Sequence, residues 1–336
     1  MNRRLILNII IALIAGVSVV VIINSAFKEK IFLKDLLSRS SLEILVIGFI
    51  INVILFLIDG FKLNIILKSL NQDISYLSSL ESCIIYSFFS AITPSGMGGQ
   101  PFQLYFLTKK GVKSEVVTNI ILFRTFEYLS IILGIDIYSI IFILPKLPQE
   151  AIGKTLIIAG FITSIISTFF TWFAMSKPEI FKLLIVNLKK ISILKNSIEK
   201  WETKAYQWID ELKLSFDELW GNHKLVLLFD FFLMFVLIIL SSYLLFLPIV
   251  SLTEMHLSFL KFFSIHILLT TLTAYVPTPG ASGGTEAILY ASFKNFIGSP
   301  QNLLLAITLF RLITYYSVIV IGGIVVLKSG VGTRNK

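Results

Sequence analysis

Residues 90–106 read SAITPSGMGGQPFQLYF, and residues 274–290 read AYVPTPGASGGTEAILY. When Gly98-Gly99 is aligned with Gly283-Gly284, Pro94 also falls on Pro279. Glycine and proline at this density stop an α-helix, although the flanking sequence is strongly apolar. The residues predicted to form the two helix breaks are all glycines or prolines: Pro94, Gly96, Gly98, Gly99, Pro279, Gly280, Gly283 and Gly284. The same break occurring twice indicates an internally duplicated, transporter-like protein.

The composition around these motifs is that of a membrane protein. Of the 336 residues, 56% are hydrophobic and only 15% are charged, with a mean hydropathy of +0.87. A soluble domain of this size would expose mostly apolar surface, so that class is excluded. The net charge of +9 does not indicate nucleic acid, because the basic residues lie mostly in loops, where they set topology and meet anionic lipid. We therefore expect an all-α polytopic membrane protein.

Apolar runs long enough to cross a bilayer, about 18–20 residues, together with Arg3 and Arg4 define a predicted topology. The N-terminus is placed in the cytoplasm. Six spanning helices are predicted at about 5–26, 42–59, 115–144, 154–175, 225–247 and 301–327. Residues 60–79, with Lys62 and Lys68, are placed in the cytoplasm, and so is the C-terminus. The expected location is the plasma membrane.

The two broken segments, about 80–108 and 257–297, are predicted to be re-entrant hairpins. The backbone groups freed at a break must be buried in protein or line a cavity, because lipid cannot satisfy them. The first hairpin then enters from the cytoplasmic side and the second from outside, which makes the halves inverted repeats. Residues 1–176 form the first repeat, 177–222 a cytoplasmic amphipathic linker, and 223–336 the second repeat.

Each break is followed by an apolar run with the pattern Phe-Arg-x-x-x-Tyr, which contains Arg124 and Tyr128 in one half and Arg311 and Tyr315 in the other. An arginine at mid-membrane costs a few kcal/mol unless it is paired. Guanidinium binds phosphate in a forked geometry, and helix N-termini at the breaks add positive partial charge. These features predict that both arginines converge on a phosphate-binding site near the midplane.

Six further side chains complete the predicted binding site, and two of them are Tyr128 and Tyr315 of the repeated pattern. Glu127 and Glu286 can each pair with an arginine, bind a cationic headgroup or carry a coupling proton. Gln100 and Thr285 occupy matching positions and offer neutral hydrogen bonds. Two alternatives stay open: the breaks can serve helix packing alone, and the arginines can be purely structural bridges.

Several kinds of chemistry have no sequence support. The histidines have no metal-ligand spacing with carboxylates or with Cys83, the single cysteine, and no Walker A sequence is present. Neither a Gly-x-Ser-x-Gly elbow nor a catalytic triad occurs. We therefore expect no catalytic residue, no metal and no cofactor.

The sequences TPSGMGGQP and PTPGASGGTE, each followed by Phe-Arg, resemble the flippase-like membrane region of lysylphosphatidylglycerol synthases. The resemblance covers nearly the whole chain and implies movement of lipid between leaflets. Larger members carry a soluble aminoacyl-transfer domain after this region. The chain stops nine residues after Leu327, so a stand-alone member without that domain is expected. Gln100 stands where some members have glutamate, whereas Glu286 fits the second motif.

The leading hypothesis is a translocator of an anionic or zwitterionic phospholipid, or of a polyprenyl-phosphate-linked lipid, which binds the phosphate headgroup. One alternative is an integral-membrane transferase that acts on a lipid-linked substrate, with Glu127 or Glu286 as base. Another is a secondary transporter of a small anion. A structural role beside a separate lipid-modifying synthase ranks last, and a second copy of the chain is a further candidate partner.

Overall fold

The structure is a computed structural model that describes residues 31–146, 154–190, 199, 201–255, 257–273 and 276–329. The helix predicted at about 5–26 and most of the loop after Pro145 lie outside these residues. The described chain is helical throughout, and its one recorded extended pairing is an isolated bridge between Pro94 and Pro279. The expected all-α class is confirmed.

The α-helices are numbered in chain order. They are α1 Leu33–Leu36, α2 Arg39–Ser69, α3 Tyr76–Ile92, α4 Gly99–Lys109, α5 Ser114–Phe142, α6 Lys154–Ser176, α7 Ile180–Lys189, α8 Glu202–Asn222, α9 Lys224–Leu252, α10 Phe259–Thr273, α11 Gly284–Phe293, α12 Pro300–Arg311 and α13 Ser317–Ser329. Short 3-10 segments cover Leu144–Lys146 and Lys294–Phe296, and a π-helical turn at Leu312–Tyr316 joins α12 to α13.

Three of the described helical stretches are long and apolar enough to cross a membrane: Arg39–Ser69, Lys224–Leu252 and Pro300–Ser329. The helices predicted at 115–144 and 154–175 are present as α5 and α6. The chain is thus a polytopic helical membrane protein, and the number of spans remains a prediction.

The helices of the two halves match in order, and two of the pairs begin 185 residues apart. Helices α2 and α9 begin at Arg39 and Lys224, and helices α4 and α11 begin at Gly99 and Gly284. Their packing is also reciprocal, because α3 packs on α13 while its counterpart α10 packs on α5. Helix α2 packs directly against its own counterpart, α9. This is the pattern that a pseudo-twofold axis between the repeats produces.

Both predicted hairpins are present. In the first hairpin (α3–α4), Phe89 and Phe102 stack with ring centroids 3.4 Å apart, and Lys110 at the far end lies 3.8 Å from Glu81. The chain therefore leaves the hairpin near the level at which it entered, as a re-entrant segment must. In the second hairpin (α10–α11), Phe262 stacks on Phe293 at 4.9 Å.

The two breaks meet at the centre of the molecule. Pro94 and Pro279 are equivalent residues, and they form an antiparallel bridge. Equivalent residues that pair in antiparallel orientation are related by a local twofold axis that passes between them. Lys62, near the end of α2, contacts Asp230, near the start of its counterpart α9, so these equivalent long helices run antiparallel and the repeats are inverted.

The predicted linker, residues 177–222, contains the amphipathic helices α7 and α8. Helix α8 buries Phe216 and Leu219 and packs against α5, α6 and α9 as well as α7, so it is docked on the protein and does not lie free at the interface. Helix α7 leaves Leu183 and Leu184 exposed. A hydrogen bond from the Lys189 ammonium holds the pKa of the Glu202 carboxyl below its usual value.

One boundary prediction is wrong in a way that matters for the site. The helix predicted to end near residue 59 continues to Ser69. Lys62, which was placed in a cytoplasmic segment, is completely buried, whereas Lys68 is exposed. The sequence did not indicate that Lys62 is buried, because two charged residues so close together, Asp59 and Lys62, are typical of the polar end of a spanning helix.

Candidate functional site

The first break is a tight turn stabilised by its own backbone. The amide of Gly96 donates to the carbonyl of Thr93, and the amide of Met97 donates to that of Pro94, both at 3.2 Å. The Thr93 hydroxyl also accepts from the amide of Gly98 at 2.9 Å. These bonds satisfy three amides between α3 and α4, and the Thr93 hydroxyl donates at 2.6 Å to the carbonyl of Phe89, in the last turn of α3.

The second break repeats this turn 185 residues later. The amide of Ala281 donates to the carbonyl of Thr278 at 3.0 Å, and the amide of Ser282 donates to that of Pro279 at 3.2 Å. The duplicated sequence thus folds into a duplicated backbone, including the start of the helix that follows it.

Both turns pass through the left-handed region at the same two positions. Ser95 and Gly96 have φ values of 51° and 69°, and Gly280 and Ala281 have 56° and 51°. A non-glycine residue is uncommon there, and such strain concentrates at functional sites.

Arg124 pairs with Asp59 of α2 and also contacts the Cys83 sulfur at 3.8 Å. Its side chain is 13% exposed and that of Asp59 24% exposed. Both line a cavity of about 300 Å³ that also includes Gln100 and Tyr128. This arginine is therefore paired and still in reach of a ligand.

Arg311 is held on the second break. Its Nε lies 2.9 Å from Glu286, and its Nη2 donates to the carbonyl of Gly280 at 3.0 Å and to the hydroxyl of Ser282 at 2.9 Å. The ring of Tyr315 lies 4.2 Å from the guanidinium carbon. Arg311 thus braces the turn, which is the structural alternative left open by the sequence, and it also lines a second cavity of about 390 Å³.

Glu286 has two partners at this break. One carboxylate oxygen pairs with Arg311, and the other accepts from the amide of Gly283 at 2.8 Å. The second contact caps the N-terminus of α11. Among its three predicted roles, the structure shows the pairing with arginine.

Tyr315 connects the two repeats. Its hydroxyl lies 3.3 Å from the carbonyl of Ala91 in the first repeat and 3.4 Å from that of Pro279 in the second. Tyr128, its counterpart in the sequence pattern, instead lines the cavities at both arginines. A further cavity of about 520 Å³ is lined by Asp59, Tyr128 and Gly280.

The sequence predicted that both arginines converge on one site. Instead each arginine lines its own cavity, and Tyr128 lines both cavities. The neutral side chains divide in the same way. Gln100 donates to the Thr125 hydroxyl at 3.0 Å beside Arg124, and Thr285 lines the cavity at Arg311. The arginines also differ in register, because they lie 187 residues apart whereas the breaks lie 185 apart.

Glu127 pairs with neither arginine. It accepts from the ammonium of Lys62 at 2.8 Å, and that ammonium lies 3.1 Å from the carboxylate of Asp230 on α9. All three side chains are buried. Sequence reasoning missed Lys62 and Asp230, although a lone acid within LVLLFDFFL is a signal for a buried partner.

Two other buried polar groups have neutral partners. Asp136, which is buried in α5, accepts from the Thr271 hydroxyl at 3.1 Å. His266 hydrogen-bonds the Ser242 hydroxyl at 3.0 Å. Within the described ranges, no group of three or more histidine, cysteine or acidic side chains is placed to hold a metal ion.

Comparisons of the sequence with known proteins identify its family. The family model described as the lysylphosphatidylglycerol synthase TM region matches residues 6–322. A UPF0104 membrane protein of Archaeoglobus fulgidus is 24% identical over 333 residues, which is 94% of each chain. Since the family match spans both hairpins and both arginine helices, the chain belongs to the lysylphosphatidylglycerol synthase transmembrane-region family.

Proposed function

We propose that this protein moves a phosphate-bearing lipid between the leaflets of the cell membrane, with both termini in the cytoplasm. The observation that carries the proposal is the antiparallel meeting of two broken helices, together with two cavities that are each lined by one of the arginines. In transporters built from inverted repeats, substrate binds where the broken helices meet.

Arg124 is the group proposed to receive the phosphate first. It is the more accessible arginine, and its partner Asp59 is a single carboxylate at the cavity wall. A lipid phosphate can replace that carboxylate without leaving the guanidinium unpaired, and guanidinium binds both groups in the same forked geometry. The acyl tails would stay in the bilayer while the headgroup moves.

Arg311 is proposed to act later and in a different manner. Its Nε and Nη2 are committed to the second break, so it supplies positive potential to the second cavity while keeping the turn in shape. Tyr128 lines both cavities, so a headgroup that passes from one to the other would contact it. Rocking of one repeat against the other would alternate access to the two leaflets.

Lipid exchange in liposomes tests the proposal. Purified protein is reconstituted with fluorescent phosphatidylglycerol, phosphatidylethanolamine or a polyprenyl phosphate, and dithionite quenching reports leaflet exchange. Wild type is expected to accelerate exchange of at least one of these lipids. Arg124→Ala should slow it at least about tenfold, since a hydrogen bond to a charged group contributes about 1.5–3 kcal/mol.

Arg39→Ala is the matched control. Arg39 also pairs with an acid, Glu43 at 3.0 Å, but its side chain is 93% exposed on α2, so exchange should be unchanged. The proposed function would be contradicted if folded wild-type protein exchanged every lipid no faster than protein-free liposomes do. Equal rates for Arg124→Ala and wild type would contradict the role of Arg124.

A further inference from the structure

Five charged side chains gather beside the first cavity, and their charges do not balance. Three are acids and two are bases: Asp59, Glu127, Asp230, Lys62 and Arg124. If all were ionised, the cluster would carry one net negative charge inside the membrane. An uncompensated buried charge costs several kcal/mol, so a compensating positive charge is required.

The hydrogen bonds show where the imbalance lies. Arg124 pairs with Asp59, which leaves Lys62 to serve two acids. The Lys62 ammonium donates to Oε1 of Glu127 and to the backbone carbonyl of Asp230, both at 2.8 Å. It lies 3.1 Å from Oδ2 of Asp230 without a hydrogen-bonding alignment.

Two carboxylate oxygens are then left over. Oε2 of Glu127 and Oδ2 of Asp230 are buried and accept no hydrogen bond from the described residues. The two carboxyl groups lie on the same ammonium, at 2.8 Å and 3.1 Å from Nζ of Lys62. Ionised carboxylates have no donor, so neither leftover oxygen can be satisfied by the other carboxyl unless one of the two groups holds a proton.

We propose that Glu127 and Asp230, held together by Lys62, form a proton-binding carboxyl pair that couples proton transfer to the movement of the headgroup at Arg124. One bound proton makes the five-residue cluster neutral and gives the pair an internal donor. The coupling rests on the proposed function, whereas the bound proton rests on the contacts alone.

The coupling follows from charge. Glu127 lies one helical turn from Arg124, so release of the proton puts a new negative charge near the guanidinium. That charge competes with a lipid phosphate. The protonated pair therefore favours phosphate binding, and by linkage a bound phosphate favours protonation. Headgroup and proton are expected to move in the same direction.

Other ionisable groups lie near the pair on the surrounding helices. Besides the five charged residues, the groups that face Arg124 from α3 are Cys83 and Tyr86. The proton leaves as hydronium while Lys62 and Arg124 keep their charges, and the cavity lined by Asp59 and Arg124 is its proposed route to water.

Infrared difference spectroscopy during a pH titration tests proton binding without lipid transport. Wild-type protein in nanodiscs should show a protonated-carboxyl C=O band that disappears as pH rises. Glu127→Gln and Asp230→Asn should each lose that component, because either change makes the cluster neutral without a proton. Glu43→Gln alters an exposed acid on α2 and should leave the spectrum unchanged. The same band in wild type and both buried variants would overturn the proposal.

Liposome exchange under a pH gradient tests the coupling. The rate of lipid exchange by wild type should change several-fold when the gradient is imposed. The rate of exchange by Glu127→Gln should be the same with and without the gradient. A gradient effect of equal size in Glu127→Gln would overturn the coupling. If the carboxyl band behaves as expected but wild type exchanges no lipid, the proton pair is supported and the translocase function fails instead.

Discussion

Gly280 sets the geometry around Arg311 at the scale of single residues. Its φ of 56° is in the left-handed region, and a Cβ built on it would overlap the ring of Tyr315. That ring lies against the Arg311 guanidinium, and the Gly280 carbonyl accepts a hydrogen bond from the same guanidinium. One glycine thus provides the turn, the space for the tyrosine and a hydrogen bond to the arginine.

Gly280→Ala should therefore be strongly destabilising. Left-handed backbone costs an alanine about 1–2 kcal/mol, and overpacking adds about 1–3 kcal/mol. Gly96→Ala is the control, because Gly96 has a φ of 69° and its built Cβ would come no closer than 3.7 Å to Ser90. It should show the backbone cost alone. Thermal unfolding in detergent measures both, and equal losses would contradict the role of Tyr315.

Lys62→Met should cost about 3–5 kcal/mol, because it leaves two buried acids without their cation. Lys68→Met, at an exposed position of the same helix, should change stability by less than about 0.5 kcal/mol. Chemical unfolding at neutral pH compares them. Lower pH should restore part of the loss by protonating the second carboxyl, and a loss that is independent of pH would contradict the charge argument.

The sequence predicts some of these contacts and not others for a physical reason. The sequence suggested that Glu286 pairs with an arginine, since an acid beside a break has few other partners in a membrane. Lys62 with Asp230 was not, because their contact joins helices that are separated by 168 residues. Residue type indicates that a charge needs a partner but not which distant helix supplies it.

At the scale of helices, the density of glycine and proline predicted both hairpins, and length with hydropathy predicted the long helices. The π-helical turn at Leu312–Tyr316 was not predictable, because its residues are ordinary for a membrane helix. It depends on tertiary contact: the amide of Asn52 on α2 donates to the Ile313 carbonyl at 2.9 Å and lies 3.1 Å from the Ser317 hydroxyl. The turn directly follows Arg311, and such turns are frequent at functional sites.

Helix α8 is attached through an aromatic cluster, which yields a prediction at this scale. Trp220 contacts Trp172 edge-on at 5.1 Å and Phe216 at 5.8 Å. Trp220→Ala should destabilise the protein by about 3–5 kcal/mol through the cavity it leaves. Trp201→Ala, at a residue that is 43% exposed, should have little effect. Equal thermal stability of the two variants would contradict docking of α8.

At the scale of the whole molecule, the pseudo-twofold arrangement predicts a topology. Lys110 ends the first hairpin and Lys294 follows the second. In a Cys83→Ser background, cysteines at these two positions should react with an impermeant maleimide from opposite sides of the membrane. The native Cys83 is fully buried and should stay unlabelled in wild type. Labelling of both positions from one side would contradict the inverted arrangement.

The pairing of Pro94 with Pro279 has a consequence for directionality. Proline has no amide hydrogen, so this contact cannot grow into a longer ladder, and the seam between the halves stays short. A rotation that exchanges the halves leaves the seam unchanged, so it resists opening toward either leaflet equally. Any preference for opening toward one leaflet must therefore come from residues that have no equivalent in the other repeat. Lys62 and Asp230 are such residues, since leucines 247 and 45 occupy their equivalent positions. The preference for one direction is therefore expected to arise at the contact between Lys62 of the first repeat and Asp230 of the second.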